Sequence, residues 1–161
     1  MTDLLVKLAE VPDVKPLIEA LGAQGIDIRR SIAPEKHVVT QWVAKHFSEG
    51  WASETEVAYT NHPVSCWIAT HEGKCVGFAC YDTSAKDFFG PTGVDETYRG
   101  RGIGKALLLV CLHDMLAQGY GYAIIGWVGP LQFYVNAVGA IEIPDSRPGV
   151  YRGMLREAKD E

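Results

Sequence analysis

The chain has 161 residues, a formal net charge of -5 and 47% hydrophobic residues, a profile typical of one soluble domain with a core of its own. The acidic balance argues against a general nucleic-acid binder, and no apolar run approaches the roughly 18 residues of a membrane span. Four cysteines without C-x-x-C spacing and five scattered histidines predict buried reduced thiols, a cytoplasmic location and no metal site.

Residues 1–24 are interpreted as an N-terminal arm ahead of the main domain, which spans residues 25–161. Two prolines interrupt this arm, and the apolar residues between Leu17 and Leu21 predict one short helix that ends at Gly22. We expect the arm to pack on the core or to contribute to a contact between two copies of the chain.

The main domain begins with a predicted strand and two predicted helices. Residues 25–32 alternate well enough between apolar and polar to predict the first strand. Pro34 suits the first turn of an amphipathic helix, which apolar residues mark between positions 38 and 47. We expect a break at Glu49-Gly50. The spacing of residues 53–56 (SETE) matches a capping box and predicts that a second short helix begins there.

Three β-rich runs follow these helices. Residues 65–70 and 74–83 are joined by a short loop and predict a hairpin, and residues 87–94 predict the next strand. Gly90-Pro91 interrupts that strand, and because proline cannot donate to a sheet ladder, a bulge or a splayed strand is expected there. Gly77 likewise indicates a bulge or a close approach of backbone.

Residues 94–119 join a strand end, a turn rich in glycine and arginine, and a long apolar helix. The helix begins at Ile103 and is apolar on most sides, so we expect it to be buried, with Gly119 at its C-terminus. Helix N-termini present unpaired N–H groups and partial positive charge, and glycines let a phosphate approach them closely. Two known phosphate motifs do not fit, because Ala106 replaces the P-loop Ser/Thr and Lys105 replaces the last glycine of G-x-G-x-x-G.

The pattern that fits is R-x-x-G-x-G at the start of a helix that follows a strand, with Arg99, Gly102 and Gly104 in the fixed positions. It resembles the acetyl-CoA-binding motif of the GNAT (GCN5-related) N-acetyltransferase family, written [RQ]-x-x-G-x-[GA]. The resemblance covers about residues 25–156. It implies that family's α/β fold: a central mixed, mostly antiparallel sheet, splayed between its fourth and fifth strands, with helices on both faces. The implied coenzyme-binding residues are Thr92, Gly93, Val94, Arg99, Gly100, Arg101, Gly102, Ile103, Gly104 and Lys105.

The last part of the chain agrees with this resemblance. We predict a strand, a short helix and two late strands, over residues 122–128, 131–138, 141–143 and 150–155. In the family a tyrosine of that helix, in the pattern [FL]-Y-x-x-x-G-[FA], often protonates the leaving thiolate. This makes Tyr134 the candidate catalytic acid, with the departure that Gly139 comes one residue late.

The resemblance implies an N-acetyltransferase that uses acetyl-CoA as co-substrate and no metal. A primary amine of a small molecule or peptide would attack the thioester directly, through a tetrahedral intermediate. The backbone N–H of Val94 would polarise the thioester carbonyl. No carboxylate stands out as general base, and composition alone leaves four candidates open, namely Asp82, Glu56, Asp87 and His113.

The acceptor also stays open. Four residues of the two helices after the first strand are those to examine, namely Trp51, Glu54, Glu56 and Tyr59. Together with other acidic and aromatic residues they hint at a small amine, a polyamine or a peptide amino group. No nucleic acid or membrane is expected as a partner, and a homodimer stays open. Two alternatives are a CoA-binding sensor or interaction domain that lacks catalysis, and a structural or dimerisation role without a nucleotide.

Overall fold

A computed structural model of the chain describes residues 2–158. Over these residues the strands are β1 (Thr2–Lys7), β2 (Ile26–Arg30), β3 (Cys66–His71), β4 (Lys74–Tyr81), β5 (Phe88–Val94), β6 (Tyr122–Val128) and β7 (Ile141–Glu142). The α-helices are α1 (Lys15–Gly22), α2 (Lys36–His46), α3 (Glu49–Ala58), α4 (Ile103–Ala117) and α5 (Leu131–Val138). Short 3-10 turns lie at Leu8–Glu10, Ala33–Glu35, Glu96–Tyr98 and Gly149–Tyr151.

The seven strands form one sheet in the order β2-β3-β4-β5-β6-β1-β7. All neighbouring pairs are antiparallel except β5 and β6, which run parallel. The predicted α/β fold with a mixed, mostly antiparallel sheet is therefore confirmed.

The N-terminal stretch contributes a strand to this sheet, which corrects its interpretation as an appended arm with one helix. β1 lies between β6 and β7 and pairs antiparallel with both. Leu4 and Val6 are completely buried, and Asp3 is 9% exposed. This strand was not predicted because Leu4 to Val6 form a continuous apolar run, without the alternation of apolar and polar residues that marks a half-buried strand. The predicted helix of this stretch is confirmed as α1, which ends at Gly22.

The second of the paired helices begins earlier than predicted. α3 begins at Glu49, and the Ser48 hydroxyl accepts the Trp51 N–H at 3.1 Å as its N-terminal cap. The break between the helices lies at Phe47, which has φ -131° and ψ -84°, and not at Glu49-Gly50. Ser53 lies inside the helix, so its capping-box spacing is a coincidence of helix-forming residues.

The late strand predicted over residues 150–155 is wrong. Gly149–Tyr151 forms a 3-10 turn, and no strand follows it within the described residues. Gly149 and Gly153 adopt positive φ values of 57° and 70°, which turn the chain away from an extended path. The other late strand is present in a shorter form, as β7.

The sheet carries apolar cores on both faces. Alternate residues of β4 point to opposite sides: Ala79 and Tyr81 pack with α1, α4 and α5, whereas Phe78 and Cys80 pack with α2 and α3. α4 passes close over β4 at Gly77, where an added Cβ would lie 3.1 Å from a Leu107 methyl. The β3–β4 register also shifts beside Gly77, between Ala69 and Thr70. Both features predicted as alternatives at Gly77, a bulge and a close approach of backbone, are therefore present.

Candidate functional site

A deep cleft opens where β5 and β6 separate. The two strands pair only at Phe88 and Phe89, opposite Ile124 and Ile125. The β4–β5 register slips beyond Phe89, at Gly90-Pro91, which confirms the interruption predicted there. A cavity of about 1090 Å³ opens beyond this point, and it is large enough to hold a coenzyme-sized ligand.

One backbone N–H at the end of β5 faces this opening. The Asp95 N–H donates to the Val76 carbonyl of β4 at 2.8 Å. Successive peptide groups of a strand point to opposite sides, so the Val94 N–H points away from β4, towards the side that β6 has left. An unpaired strand donor is thus available to a ligand in the cleft.

The N-terminus of α4 forms one end of the cleft. Gly102 is the N-cap residue in a left-handed conformation with φ 89°, and no side chain caps the helix there. The first helical hydrogen bond runs from Ala106 N–H to the Gly102 carbonyl at 3.0 Å. The N–H groups of Ile103, Gly104 and Lys105 therefore lack intrahelical acceptors. An added Cβ on Gly104 would lie 3.7 Å from a Val94 methyl, so this end of the helix adjoins the end of β5.

Nine of the ten residues predicted to bind the coenzyme line the cleft: Thr92, Gly93, Val94, Arg99, Gly100, Gly102, Ile103, Gly104 and Lys105. The tenth, Arg101, does not line it; its guanidinium lies 4.9 Å from the centre of the Tyr98 ring, in a cation–π contact. The positive charge at this end of the cleft therefore comes from Arg99, Lys105 and the helix terminus.

Tyr134, the predicted catalytic acid, also lines the cleft. Its ring is buried and meets Phe89 edge to face, with 6.5 Å between ring centres. Burial raises the pKa of Tyr134 to about 12, so its hydroxyl keeps its proton at neutral pH. The late Gly139 ends α5 in a left-handed conformation with φ 63°, and the extra residue of helix leaves Tyr134 in the cleft.

Two of the four residues singled out for the acceptor line the cleft, namely Trp51 and Glu54. Glu56 is exposed on α3 away from it, and the Tyr59 hydroxyl instead bonds with the Ser31 hydroxyl at 2.8 Å. Burial raises the pKa of Glu54, and a hydrogen bond from the Ser84 hydroxyl opposes that shift in part.

Several other residues line the cleft without a sequence pattern that predicts them there, including Phe47, Ser84, Tyr151 and Met154. The Tyr151 ring stacks on Trp127 with 4.8 Å between centres and 14° between planes. An added Cβ on Gly126 would lie 2.8 Å from the Tyr151 hydroxyl oxygen, so this glycine makes room for the tyrosine. Contacts across such long sequence distances leave no local pattern.

None of the four residues considered as general base lines the cleft. Both carboxylate oxygens of Asp82 accept from the Tyr120 hydroxyl, at 3.0 and 2.9 Å, and His113 Nε2 contacts the Pro12 carbonyl at 2.7 Å. Asp87 and Glu56 also lie outside the lining of the cleft.

Residues 2–158 contain neither a candidate metal-binding cluster nor a helix that could span a membrane. No group of three or more His, Cys, Asp and Glu residues in this range is placed to hold a metal ion. No helix in the same range combines the length and the apolar character needed to cross a membrane.

The model of the Acetyltransferase (GNAT) family matches residues 35–136. N-acetylaspartate synthetase of Xenopus tropicalis is 35% identical to this chain over 78 residues, which are 46% of this chain and 29% of that protein. A fungal structure is described as a GCN5-related glucosamine N-acetyltransferase region of a multi-domain GH3 β-N-acetylglucosaminidase. It is similar with a TM-score of 0.70 and 17% identity, over 88% of this chain and 19% of that one.

A GCN5-related N-acetyltransferase from Sphaerobacter thermophilus has a TM-score of 0.67 and 22% identity, over 88% of this chain and 48% of that one. The two structural likenesses show a shared fold. The chain spans less than half the length of each of these three relatives.

Proposed function

Because the chain belongs to the GNAT family of acetyltransferases, we propose that it transfers the acetyl group of acetyl-CoA to a primary amine of a small molecule or peptide. One observation carries the proposal. A single cleft joins the uncapped N-terminus of α4 to the unpaired Val94 N–H and to the buried hydroxyl of Tyr134. These are the parts that an acetyl transfer from a phosphate-bearing coenzyme requires.

The end of the cleft at α4 suits the diphosphate of coenzyme A. Three N–H groups and the helix dipole attract anions, and Arg99 and Lys105 add charge. Gly102 and Gly104 carry no side chain that would obstruct a phosphate. The open side of β5 then offers backbone groups to the extended arm of the coenzyme, in place of the strand that has moved away.

Acetyl-CoA would supply an acetyl group activated as a thioester. The Val94 N–H would donate a hydrogen bond to the carbonyl oxygen and so stabilise negative charge that develops there. Tyr134 keeps its proton at neutral pH and would donate it to the departing sulfur. The amine attacks in its neutral form, and its nitrogen gains the acetyl group as the carbon–sulfur bond breaks. The nitrogen loses one proton, which by way of solvent restores the Tyr134 hydroxyl, and free coenzyme A leaves as the thiol.

The test is a thiol-release assay of the purified protein with acetyl-CoA and a panel of amines, amino acids, peptides and aminoglycosides. We expect release of coenzyme A that depends on one class of amine, and binding of acetyl-CoA by calorimetry. Binding without release for every acceptor would replace the proposal with a CoA-binding module that lacks catalysis. An absence of heat with acetyl-CoA would reject the coenzyme site itself.

A further inference from the structure

The end of the cleft opposite α4 carries one negative charge. Glu54 projects from α3 and takes a hydrogen bond from the Ser84 hydroxyl. Ser84 lies in the loop before β5, whereas Gly104 adjoins Val94 at the far end of that strand. Glu54 and the helix terminus therefore lie towards opposite ends of the cleft, so the cleft is positive at one end and negative at the other.

Glu54 has no cationic partner among residues 2–158. It takes part in none of the ion pairs of these residues, and the charged side chains that line the cleft are Arg99, Lys105 and Glu54 itself. A half-buried carboxylate is costly to keep unpaired. A cationic ligand would supply the missing charge.

The walls around this carboxylate are apolar and aromatic. Trp51 lines the cleft beside Phe47, with 5.2 Å between their ring centres. Met154 also lines the cleft. Tyr151 lines the cleft as Glu54 does, and burial, and then the negative charge of Glu54, raise the pKa of this phenol. Aromatic faces add to the attraction for a cation and accommodate an apolar body.

We propose that Glu54 binds the amino group of the acceptor, and that the acceptor is a cationic primary amine with an apolar or aromatic body and no carboxylate beside the amine. The proposal rests on the proposed acetyl transfer and narrows its acceptor. The bound ammonium group must lose one proton, to the carboxylate or to solvent, before its nitrogen can attack the thioester. An α-amino acid fits poorly, because its carboxylate would face Glu54 and no arginine, lysine or histidine among the described residues lines this end of the cleft. The Arg156 guanidinium, which lies 5.6 Å from the centre of the Trp127 ring, is outside this lining.

The test compares two ligands that differ by one carboxylate, 2-phenylethylamine and phenylalanine. Each is titrated calorimetrically into the protein saturated with coenzyme A, so that no turnover is needed. We expect the amine to bind at least ~10-fold more tightly than the amino acid, since like charges brought together at a site are costly. Glu54→Gln should weaken amine binding by at least ~10-fold and leave the affinity for coenzyme A unchanged.

Two further variants serve as controls for the effect of Glu54→Gln. Glu56→Gln removes an exposed carboxylate of the same helix that does not line the cleft, and it should change neither affinity. Glu54→Asp keeps the charge on a shorter side chain and should retain part of the amine affinity. Thermal unfolding of each variant checks that the fold is intact.

The outcomes separate this inference from the transfer activity. Equal binding of the two ligands, no binding of the amine, or an unchanged affinity in Glu54→Gln would overturn the role of Glu54, even if the wild type releases coenzyme A. Amine binding that depends on Glu54, without release of coenzyme A from acetyl-CoA, would support the acceptor site and reject the transfer.

Discussion

The Asp3 carboxylate accepts the backbone N–H of Trp127 at 2.9 Å, across 124 residues of sequence. Trp127 lines the cleft and has a positive φ of 55°, a conformation that residues other than glycine rarely adopt. Asp3 is buried, so this hydrogen bond ties β1 to the rim of the cleft. The N-terminal strand therefore supports the conformation of the site as well as the sheet.

Replacement of Asp3 by alanine tests this support. The Trp127 N–H would lose its acceptor in a half-buried position, and we expect the free energy of unfolding to fall by about 1–3 kcal/mol. Denaturant unfolding measures the change. Asp27→Ala, at an exposed position of β2, is the matched control and should have little effect. Equal losses in the two variants would contradict a special role for Asp3.

Gly104→Glu tests the phosphate-binding end of the cleft. Gly104 has an ordinary helical φ, and an added Cβ there meets only ordinary contacts. Gly102 is less suitable, because its φ of 89° would strain any other residue. We expect the new carboxylate to repel the diphosphate and to weaken acetyl-CoA binding more than ~100-fold.

Calorimetry with acetyl-CoA measures this effect, and thermal unfolding should show that Gly104→Glu remains folded. Gly121→Glu is the control, since Gly121 is exposed and has open space around it. Wild-type affinity in Gly104→Glu would show that the coenzyme does not use the α4 terminus.

Tyr134→Phe tests the proton donor. The variant keeps the buried ring and removes only the hydroxyl, so we expect kcat to fall by about 100- to 10,000-fold with little change in the affinity for acetyl-CoA. Tyr151→Phe tests a second of the three phenols that line the cleft, and Tyr122→Phe removes an exposed hydroxyl as a control. A large fall in kcat for Tyr151→Phe alone would transfer the role of acid to Tyr151.

Gly93→Ala tests how closely α2 and α3 pack over β5. An added Cβ at this position would lie 2.3 Å from the Phe47 ring, so we expect a loss of about 1–3 kcal/mol in stability. The loss should shrink when the same change is made in a Phe47→Ala background, and a double-mutant cycle measures the coupling. Gly22→Ala, with open space around it, should cause no loss. An equal cost of Gly93→Ala in both backgrounds would mean that Phe47 is not the obstacle.

The ion pair of Arg29 and Glu35 predicts part of the response to acid. Hydrogen bonds from Arg29 lower the pKa of Glu35 from 4.5 to about 2, against a smaller opposing effect of burial. Because the pKa is lower in the folded state, the pair stabilises the fold above about pH 4.5, and this contribution is lost as the pH falls towards 2.

We therefore expect Glu35→Gln to cost about 0.5–1 kcal/mol at neutral pH, a modest value because both side chains are partly exposed. The difference from wild type should vanish towards pH 2. Urea unfolding over this range measures it, with the exposed Glu19→Gln as control. A difference that persists at the acid end would assign the effect to packing.

The sequence was most informative where local chemistry decides the structure. The helix α4, the strand β6 and the helix α5 lie at or within a residue of their predicted bounds, because apolar patterns bounded by glycine and proline mark their ends. The glycine-rich turn before α4 could also be predicted, because the conformational freedom of glycine at a turn is a local property.

The sequence was least informative where distant segments meet. The strand β1 owes its place to pairing with β6, and the 3-10 turn at Tyr151 owes its place to stacking on Trp127. Neither contact leaves a periodic pattern in the chain. The acceptor end of the cleft was predicted only in part for the same reason, since Glu54 and Ser84 meet through the tertiary fold.

The position of β1 in the sheet also affects how the chain can fold. Leu4 pairs with Ile125 and with Glu142, so a chain made from its N-terminus holds an unpaired apolar strand until the last part of the domain has been synthesised. The chain between β1 and its partner strands must lose the conformational entropy of a large loop before these strands can pair. This entropy cost favours slow completion of the sheet. During that interval the exposed edge of β6 is open to strands of other molecules, and helper proteins that shield nascent chains would have their greatest effect there.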